Sequence, residues 1–266
     1  MIMKKNIIKK WYSLLKFPEK YDLQFKELLD SSDCEDLTSL SEYEDYNNKG
    51  KNLLAFLYFC EELSVKYKAK NIPDEILYDT LSDIVIWTNT YFSISKKLGL
   101  DETNWLKRHL SFKLFKLGRL QFCIADSEFD IPGYSIGKGD RILEVHIPQA
   151  GPLNFEKCEE SFENSKKFFS KYFKEYDYKC FTCHSWLLDK ALLPFLSENS
   201  NIRSFMTLFT PVQDDESFAL VKYIFRWDAT KDTIDSFEAK STLAKRIAKA
   251  VKDGVVFHET LGVHAK

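Results

Sequence analysis

The sequence RILEVHIPQAGPLN at residues 141–154 decides the architecture of the second half of the chain. Its residues Leu143, Val145 and Ile147 alternate with polar residues, which is typical of a strand with one apolar and one polar face. The loop 148–153 then leads to Asn154, which suits the N-cap of a helix. The stretch therefore predicts a strand, a short loop and a helix in direct succession.

The segments around this stretch indicate further strands and helices. Residues 120–124 alternate in the same way, and Phe-rich apolar positions follow Asn154 at helical spacing. We predict strands at 120–124, 141–147, 178–184, 202–211, 218–227 and 255–260, with helices from 154 onward, at 187–196 and at 237–251. A strand that returns parallel to the first after a helix requires a right-handed crossover, and the N-terminus of that helix can receive an anion.

Residues 7–115 show helical periodicity almost throughout. Leu53, Leu54, Leu57 and Leu63, for example, recur at the spacing of one buried helical face. The predicted fold class is therefore α+β, with an all-helical N-terminal domain at 1–115 and a mixed-sheet domain flanked by helices at 116–266.

Composition excludes several classes of protein. The chain has 266 residues, of which 44% are hydrophobic and 29% charged, so it is neither a disordered tail nor a disulfide mini-protein. Only 9 residues are Gly, which counts against a glycine-rich nucleotide loop. The formal net charge of -2 lacks the basic excess of a nucleic-acid-binding protein, so we expect no nucleic-acid partner.

The sequence given shows no recognisable targeting signal. The basic N-terminal stretch MIMKKNIIKKWYSLLKF has no uninterrupted apolar region or small-residue cleavage site. No segment has the length of uncharged apolar residues that a membrane span needs. We therefore expect a cytoplasmic protein with reduced cysteines and no membrane partner.

Several strings in the second half resemble one known family. They are LGRLQF at 117–122, LEVHIP at 143–148 with GPL at 151–153, CHSWLLD at 183–189, SNI at 200–202 and RWD at 226–228. Together they resemble the GNAT-like acyltransferases that have an all-helical N-terminal domain and a GNAT-like C-terminal domain. The resemblance covers residues 115–266 by motif and the helical half by layout.

The resemblance implies an N-acyltransferase whose co-substrate is acyl-CoA, with acetyl-CoA as the expected form. The acceptor would be an amine of a small molecule or peptide. In GNAT folds the pantetheine arm lies in a gap between two splayed strands, and the pyrophosphate rests on the following loop and helix N-terminus. Carried onto this chain, the cofactor-binding residues are Ile147, Gln149, Ala150, Gly151, Leu153 and Asn154.

The chain departs from the family pattern at two places. Gly151 is the only glycine in its loop, and Pro152 has no N–H to offer a phosphate. Many GNAT enzymes also use a tyrosine after the next strand to protonate the leaving thiolate, and none lies between His184 and Ser197. Ser185 is a candidate substitute.

Acylation of an amine needs a base for the ammonium proton and a donor for the oxyanion or thiolate. Glu144 and His146 are two residues apart on one strand face, and either one is a candidate general base. We predict that His184 or Ser185 orients the substrate or the leaving group. The alternative is a solvated Glu144 and two histidines with purely structural hydrogen bonds.

Three more residues are candidates for substrate binding. Arg119 and Gln121 are predicted to share the polar face of the first strand, where Arg119 could bind a carboxylate in a bidentate manner. The alternative for Arg119 is a structural role on backbone carbonyls. Trp186 could line the acyl pocket or belong to the core.

The string Cys180-Phe-Thr-Cys-His184 matches the spacing of covalent haem attachment and of half a zinc site. We expect neither a metal nor haem, because no second Cys/His pair exists and a strand would place the two thiols on opposite faces. A non-catalytic module that binds acyl-CoA or a protein partner remains the alternative function. The sequence leaves the oligomeric state undetermined.

Overall fold

Helices make up the N-terminal part of the chain, as the periodicity predicts. A computed structural model describes residues 2–131, 133–226 and 228–266. Its first five α-helices are α1 (Ile2–Leu14), α2 (Asp22–Ser31), α3 (Lys49–Ala69), α4 (Asp74–Ser95) and α5 (Thr103–Leu110). Short 3-10 turns lie at Glu19–Tyr21 and Leu40–Glu42.

Helix α3 forms the centre of the helical part. Most of its residues are buried, and it packs against α1, α4 and α5. The side chain of Asn48 accepts hydrogen bonds from the N–H groups of Gly50 and Lys51, which caps the start of α3. The helix can be apolar on most sides because other helices surround it.

The strands are β1 (Leu114–Lys116), β2 (Gln121–Asp126), β3 (Arg141–His146), β4 (Cys180–Ser185), β5 (Thr210–Glu216) and β6 (His258–Ala265). They lie in the order β1-β2-β3-β4-β6-β5. Strands β3 and β4 are parallel, whereas β1 with β2, β4 with β6, and β6 with β5 are antiparallel. The predicted α+β class with a mixed sheet is confirmed.

The later helices are α6 (Phe155–Tyr172), α7 (Asn201–Met206), α8 (Ala219–Ile224) and α9 (Thr242–Lys252). Helix α6 is the crossover between β3 and β4. It buries an aromatic face, on which Phe162 meets Phe181 of β4 at a ring-centroid distance of 5.0 Å. A separate apolar cluster lies among α8, α9 and the 3-10 turn Lys190–Phe195.

By packing, the described chain divides into two compact units. The first comprises Met1–Leu117, Gln121–Cys123 and Ile147–Ala150, and the second comprises Gly118–Leu120, Ile124–His146 and Gly151–Lys266. Strand β2 thus contributes residues to both units. The domain boundary that we predict at 115/116 stays a prediction.

Two predicted strands are wrong. Residues 202–211 form α7 and the start of β5, because the Ser200 hydroxyl accepts the N–H of Ile202 and starts a helix. Residues 218–224 lie mostly in α8, where the adjacent Leu220 and Val221 are both buried, as a helix against a core allows. Trp227, which ends the second predicted strand and lies in the RWD string, falls outside the described residues.

Smaller differences concern boundaries. The predicted helix at 187–196 consists of two 3-10 turns, Trp186–Leu188 and Lys190–Phe195. The helix predicted at 237–251 begins only at Thr242, because Ser241 is its N-cap. The strand predicted at 255–260 lies later in the chain, as β6. The three-residue strand β1 was not predicted. Among the described helices, none has the length and apolar character that a bilayer crossing requires.

A buried polar cluster joins α4, α5 and β2 within the first unit. The His109 Nε2 atom lies 2.9 Å from Asp83 Oδ2, and both side chains are almost fully buried. Trp105 Nε1 donates to the same carboxylate at 3.3 Å, and Gln121 Nε2 lies 3.2 Å from His109 Nε2. Burial alone would raise the pKa of Asp83, but hydrogen bonding and charge from His109 lower it overall.

We expect Asp83→Ala to lower the free energy of unfolding by about 3–5 kcal/mol, because it leaves His109 buried without its partner. The matched control is Asp79→Ala, one turn earlier on an exposed position of α4, which should change stability by less than about 0.5 kcal/mol. Urea unfolding followed by circular dichroism measures both.

The contribution of Asp83 to the free energy of unfolding should depend on pH. Because the pKa of Asp83 is lowered on folding, its stabilisation is complete above its unfolded pKa of about 3.9 and is lost as the pH falls below that value. The stability difference between wild type and Asp83→Ala should therefore shrink below about pH 4. A difference that stays constant down to pH 2.5 would contradict this account of the cluster.

Candidate functional site

The ladder between the parallel strands β3 and β4 is short. It contains two residue pairs, Leu143 with Phe181 and Glu144 with Thr182. Along its other edge, β4 pairs with β6 over all six of its residues, from Cys180 to Ser185. The carboxyl-terminal ends of β3 and β4 thus lie beyond their shared ladder, at the place where the family resemblance implies a gap.

The ladder also fixes which side chains share a face of the sheet. Glu144 pairs with Thr182, so His146 and His184, each two residues further along its strand, point to the same face. Gln213 of β5 and His184 of β4 both pair with Leu261 of β6, so Gln213 lies on this face as well. We call the set Glu144, His146, His184, Gln213 and Asp215 the polar face.

Two histidine–carboxylate pairs occupy the polar face. His146 Nε2 lies 3.3 Å from Glu144 Oε2, and about three-quarters of each side chain is buried. His184 Nε2 lies 3.3 Å from Asp215 Oδ2, and both of these side chains are about half exposed. Gln213 Nε2 donates to both oxygens of Asp215, at 3.1 and 3.2 Å, and so restrains the carboxylate. Each imidazole therefore has a carboxylate neighbour on the same face of the sheet.

Asp215 was missed by sequence reasoning. It lies in the acidic run Asp214–Glu216, between the two segments that we predicted as strands. The run has no apolar alternation because β5 is an exposed edge strand. Only the pairing of β5 with β6 brings Asp215 to His184, and no local pattern could have found it.

Ser185 and Trp186 have structural partners. Ser185 is buried, and its hydroxyl accepts the N–H of Leu187 at 3.2 Å, which starts the 3-10 turn after β4. Trp186 is half-buried, packs on the cluster around α8 and α9, and lies 5.9 Å from the Tyr223 ring. Ser185 is thus buried in a structural hydrogen bond, whereas His184 is about half exposed.

The predicted shared polar face of Arg119 and Gln121 is wrong. Strand β2 begins only at Gln121, and its first three residues are buried on both faces. Gln121 has no exposed surface and belongs to the cluster around His109. A substrate cannot reach its amide in this structure, so we leave Gln121 out of the candidate site.

Arg119 is tied to the loop before α6. Its Nε atom donates to the carbonyl oxygen of Pro152 at 3.0 Å, and its Nη2 atom donates to that of Gly151 at 3.2 Å. Its backbone N–H also donates to the Ser161 hydroxyl at 2.8 Å. Burial lowers the pKa of the guanidinium, which nevertheless stays charged at neutral pH. Arg119 therefore has the structural role on backbone carbonyls that we gave as the alternative. Its side chain also places a positive charge beside the loop.

The loop itself has a defined conformation. Gly151 has a positive φ of 70°, which L residues with a Cβ rarely adopt. Asn154 caps α6 as predicted, because its side chain accepts the N–H of Lys157 at 2.9 Å. Gln149 is exposed, Ile147 and Ala150 are half-buried, and Leu153 is buried. The side chains of the predicted cofactor-binding residues thus differ in their exposure, and only the exposed or half-buried ones are open to a ligand.

The two cysteines of the CxxCH string are both buried in β4, and their positions alternate to opposite faces. Burial raises the pKa of Cys180 to about 11 and that of Cys183 further. Because zinc binds the thiolate, these environments oppose a zinc site. The expected absence of metal and haem stays a prediction.

Comparison with known proteins gives two matches to family models. Residues 12–112 match the N-acyltransferase N-terminal domain, and residues 114–264 match the GNAT-like C-terminal domain. No curated protein matches the chain.

Solved structures with the same fold are similar to this chain. One is an acyltransferase in complex with decanoyl-CoA and teicoplanin, with a TM-score of 0.81 and 21% identity over 97% of this chain and 87% of that one. A mutant acyltransferase in complex with octanoyl-CoA has a TM-score of 0.80 and 21% identity, with 97% and 87% coverage. A third, with CoA and 10C-Teicoplanin, has a TM-score of 0.81, 21% identity and the same 97% and 87% coverage. At this identity the likeness establishes the fold.

We expect Arg119→Met to loosen the loop at 149–153, because it removes two hydrogen bonds from a charged donor. The free energy of unfolding should fall by about 1–3 kcal/mol, and limited proteolysis should cleave first in this loop. Arg141→Met is the matched control, since Arg141 donates to one carbonyl, that of Glu175, far along the chain from the loop. Equal proteolysis of the loop in both variants would refute the role of Arg119.

Proposed function

The chain belongs to the family of N-acyltransferases with a GNAT-like C-terminal domain, and from this membership we propose that it transfers an acyl group from acyl-CoA to an amine of a small molecule or peptide. The family resemblance and the enzyme class predicted from the sequence, an acyl-CoA-dependent N-acyltransferase, are confirmed by the two family matches. The acyl group, the acceptor and the residues that act on them are the proposal.

The observation that carries the proposal is the short ladder of β3 and β4. Among the described residues, the two parallel strands share no further pair beyond Glu144 and Thr182. A pantetheine arm can lie between such ends and pair its amides with the strand edge, in the manner of an added strand. The carboxyl ends of adjacent parallel strands are also the usual place for a ligand in open α/β sheets.

The loop and α6 supply an anion site for the pyrophosphate. The N-terminus of α6 carries free N–H groups and the positive end of the helix dipole. Because C=O and N–H point in opposite directions across a trans peptide, the Pro152 carbonyl on Arg119 directs the Leu153 N–H away from Arg119. The Arg119 charge and this N–H compensate for the missing glycines.

The polar face supplies the proton transfers. We assign the Glu144–His146 pair as the general base that accepts the ammonium proton of the acceptor, directly or through water. The free amine nitrogen then attacks the thioester carbonyl, forming the C–N bond of a tetrahedral intermediate. Its collapse breaks the C–S bond and leaves a CoA thiolate.

His184 is suited to protonate that thiolate. It lies near the end of β4, where its Nε2 atom is 3.3 Å from the Asp215 carboxylate. In this assignment His184 replaces the tyrosine of many GNAT enzymes. The attacking nitrogen loses two protons in all, one from the ammonium group before the attack and one from the tetrahedral intermediate as the C–S bond breaks. One proton is gained by the CoA sulfur and the other is released to solvent, so the reaction balances.

Two classes of acyl donor, short-chain and medium-chain, are candidates. Acetyl is the expectation from the family resemblance, whereas octanoyl-CoA and decanoyl-CoA are bound in solved structures of the same fold. Teicoplanin, a bound partner in one of those structures, is compatible with a peptide-like acceptor. We therefore propose to test acetyl, octanoyl and decanoyl donors side by side.

A non-catalytic acyl-CoA-binding module is the second candidate. The features that favour it are the single glycine of the loop and the proline at position 152. Turnover separates the two functions: release of free CoA thiol that depends on an added amine supports the enzyme. Tight CoA binding without turnover for any donor across a broad amine panel would favour the module.

We expect Glu144→Gln and His184→Ala each to lower kcat/KM about 10²–10⁴-fold, because each removes a proton-transfer group. The matched control is His258→Ala, whose imidazole also faces a carboxylate, Asp189, at 3.6 Å but lies off the polar face. It should keep activity within about threefold. Loss of activity in all three variants, or in none, would reject the assignment.

CoA binding has its own test by thermal unfolding. At about 100 times its Kd, CoA should raise the Tm of the wild type by several degrees. Arg119→Met should lose most of this shift, and Arg141→Met should keep it. No shift of the wild type at millimolar CoA would mean that the loop is not a pyrophosphate site.

A further inference from the structure

A cavity lies in the second unit, lined by residues that the proposed reaction does not use. Its volume is about 320 Å³, near the lower end of the range for small-molecule sites. It lies among the 3-10 turns after β4, helix α7 and the start of β5. Its apolar wall consists of Leu188, Leu193, Met206, Phe209 and Pro211.

Two cationic side chains, Lys190 and Arg203, line the same cavity. In the part of the chain that the structure describes, neither forms an ion pair with a carboxylate. Arg203 Nη2 donates to the carbonyl oxygens of Leu193 and Leu196, at 2.5 and 3.4 Å, so the guanidinium is held in place. Its Nε atom is buried and has no hydrogen-bond partner among the described residues.

Apolar walls with uncompensated positive charge select one class of ligand. An apolar chain alone would leave the cations without a counter-charge, and a small inorganic anion would leave the wall exposed to water. At roughly 30 Å³ for each water-sized group, the cavity holds about ten such groups. A chain of eight to ten carbon atoms that ends in an anion meets all three conditions.

We propose that this cavity binds a free medium-chain aliphatic carboxylate, with its chain on the apolar wall and its carboxylate beside Lys190 and Arg203. The site is separate from the strand gap assigned to acyl-CoA.

Isothermal titration calorimetry on the full chain tests the proposal with octanoate, octan-1-ol, octylamine and acetate, each below its micelle concentration. We expect one octanoate per chain, with octan-1-ol at least tenfold weaker and octylamine and acetate without measurable binding. Each methylene added from hexanoate to octanoate should tighten binding about fourfold.

Lys190→Met removes a positive charge that only a carboxylate can use, and Lys190 is exposed, so the fold should tolerate the change. The variant should bind octanoate about tenfold more weakly and octan-1-ol with unchanged affinity. Lys231→Met, an exposed lysine outside the cavity, is the matched control and should change neither. Thr207→Trp, on an exposed lining position, should block both ligands by filling the cavity.

Equal binding of octanoate and octan-1-ol, or a Kd of octanoate that Lys190→Met changes less than twofold, would overturn the proposal. The Tm shift with CoA is measured on the same variants and should persist in all of them. Failure of octanoate binding with an intact CoA shift thus rejects this site alone, whereas a missing CoA shift concerns the proposed function.

Discussion

The two-pair ladder of β3 and β4 is the constraint on which the candidate site depends. All six residues of β4 pair with β6, and this pairing fixes the position of β4 independently of β3. Strand β3 ends two residues before Pro148, which has no N–H to extend a ladder. The chain then enters α6, whose aromatic face packs against Phe181 and fixes the crossover above the start of β4. The open strand ends are therefore a property of packing on both sides of the gap.

This constraint also determines which chemistry is available. Glu144 and Thr182 pair across the ladder and point to one face of the sheet. Side chains alternate along a strand, so His146 and His184, each two residues later, point to that face as well. Each imidazole also has a carboxylate neighbour. The β3 strand supplies its own, Glu144, whereas β4 depends on Asp215 from the edge strand β5. An exposed edge strand tolerates this carboxylate, because charges there also oppose pairing with other chains.

Sequence patterns predict the elements whose signals are local. The alternation at 141–147, the Asn154 cap and the helical periodicity of the first half are all found in the structure. Residues 202–211 and 218–224 misled the prediction, since short apolar runs do not separate a strand from a helix that packs against a core. The burial of Gln121 could not be predicted either, because it depends on His109, a residue of another element. Local patterns thus give the strand of the site but not its partners.

Under the proposed function, the loop before α6 compensates for a departure from the family pattern. Several glycines would let many N–H groups turn toward a phosphate, and this chain has one glycine and a proline there. Arg119 instead binds the carbonyl oxygens of Gly151 and Pro152, which fixes the orientation of both peptides at once. Fixed peptides lose little conformational entropy when a ligand binds, whereas a glycine-rich loop must be ordered by the ligand. Under the proposed function, a rigid loop with few donors and one nearby cation therefore binds the anion that a flexible loop with many donors binds in other members of the family.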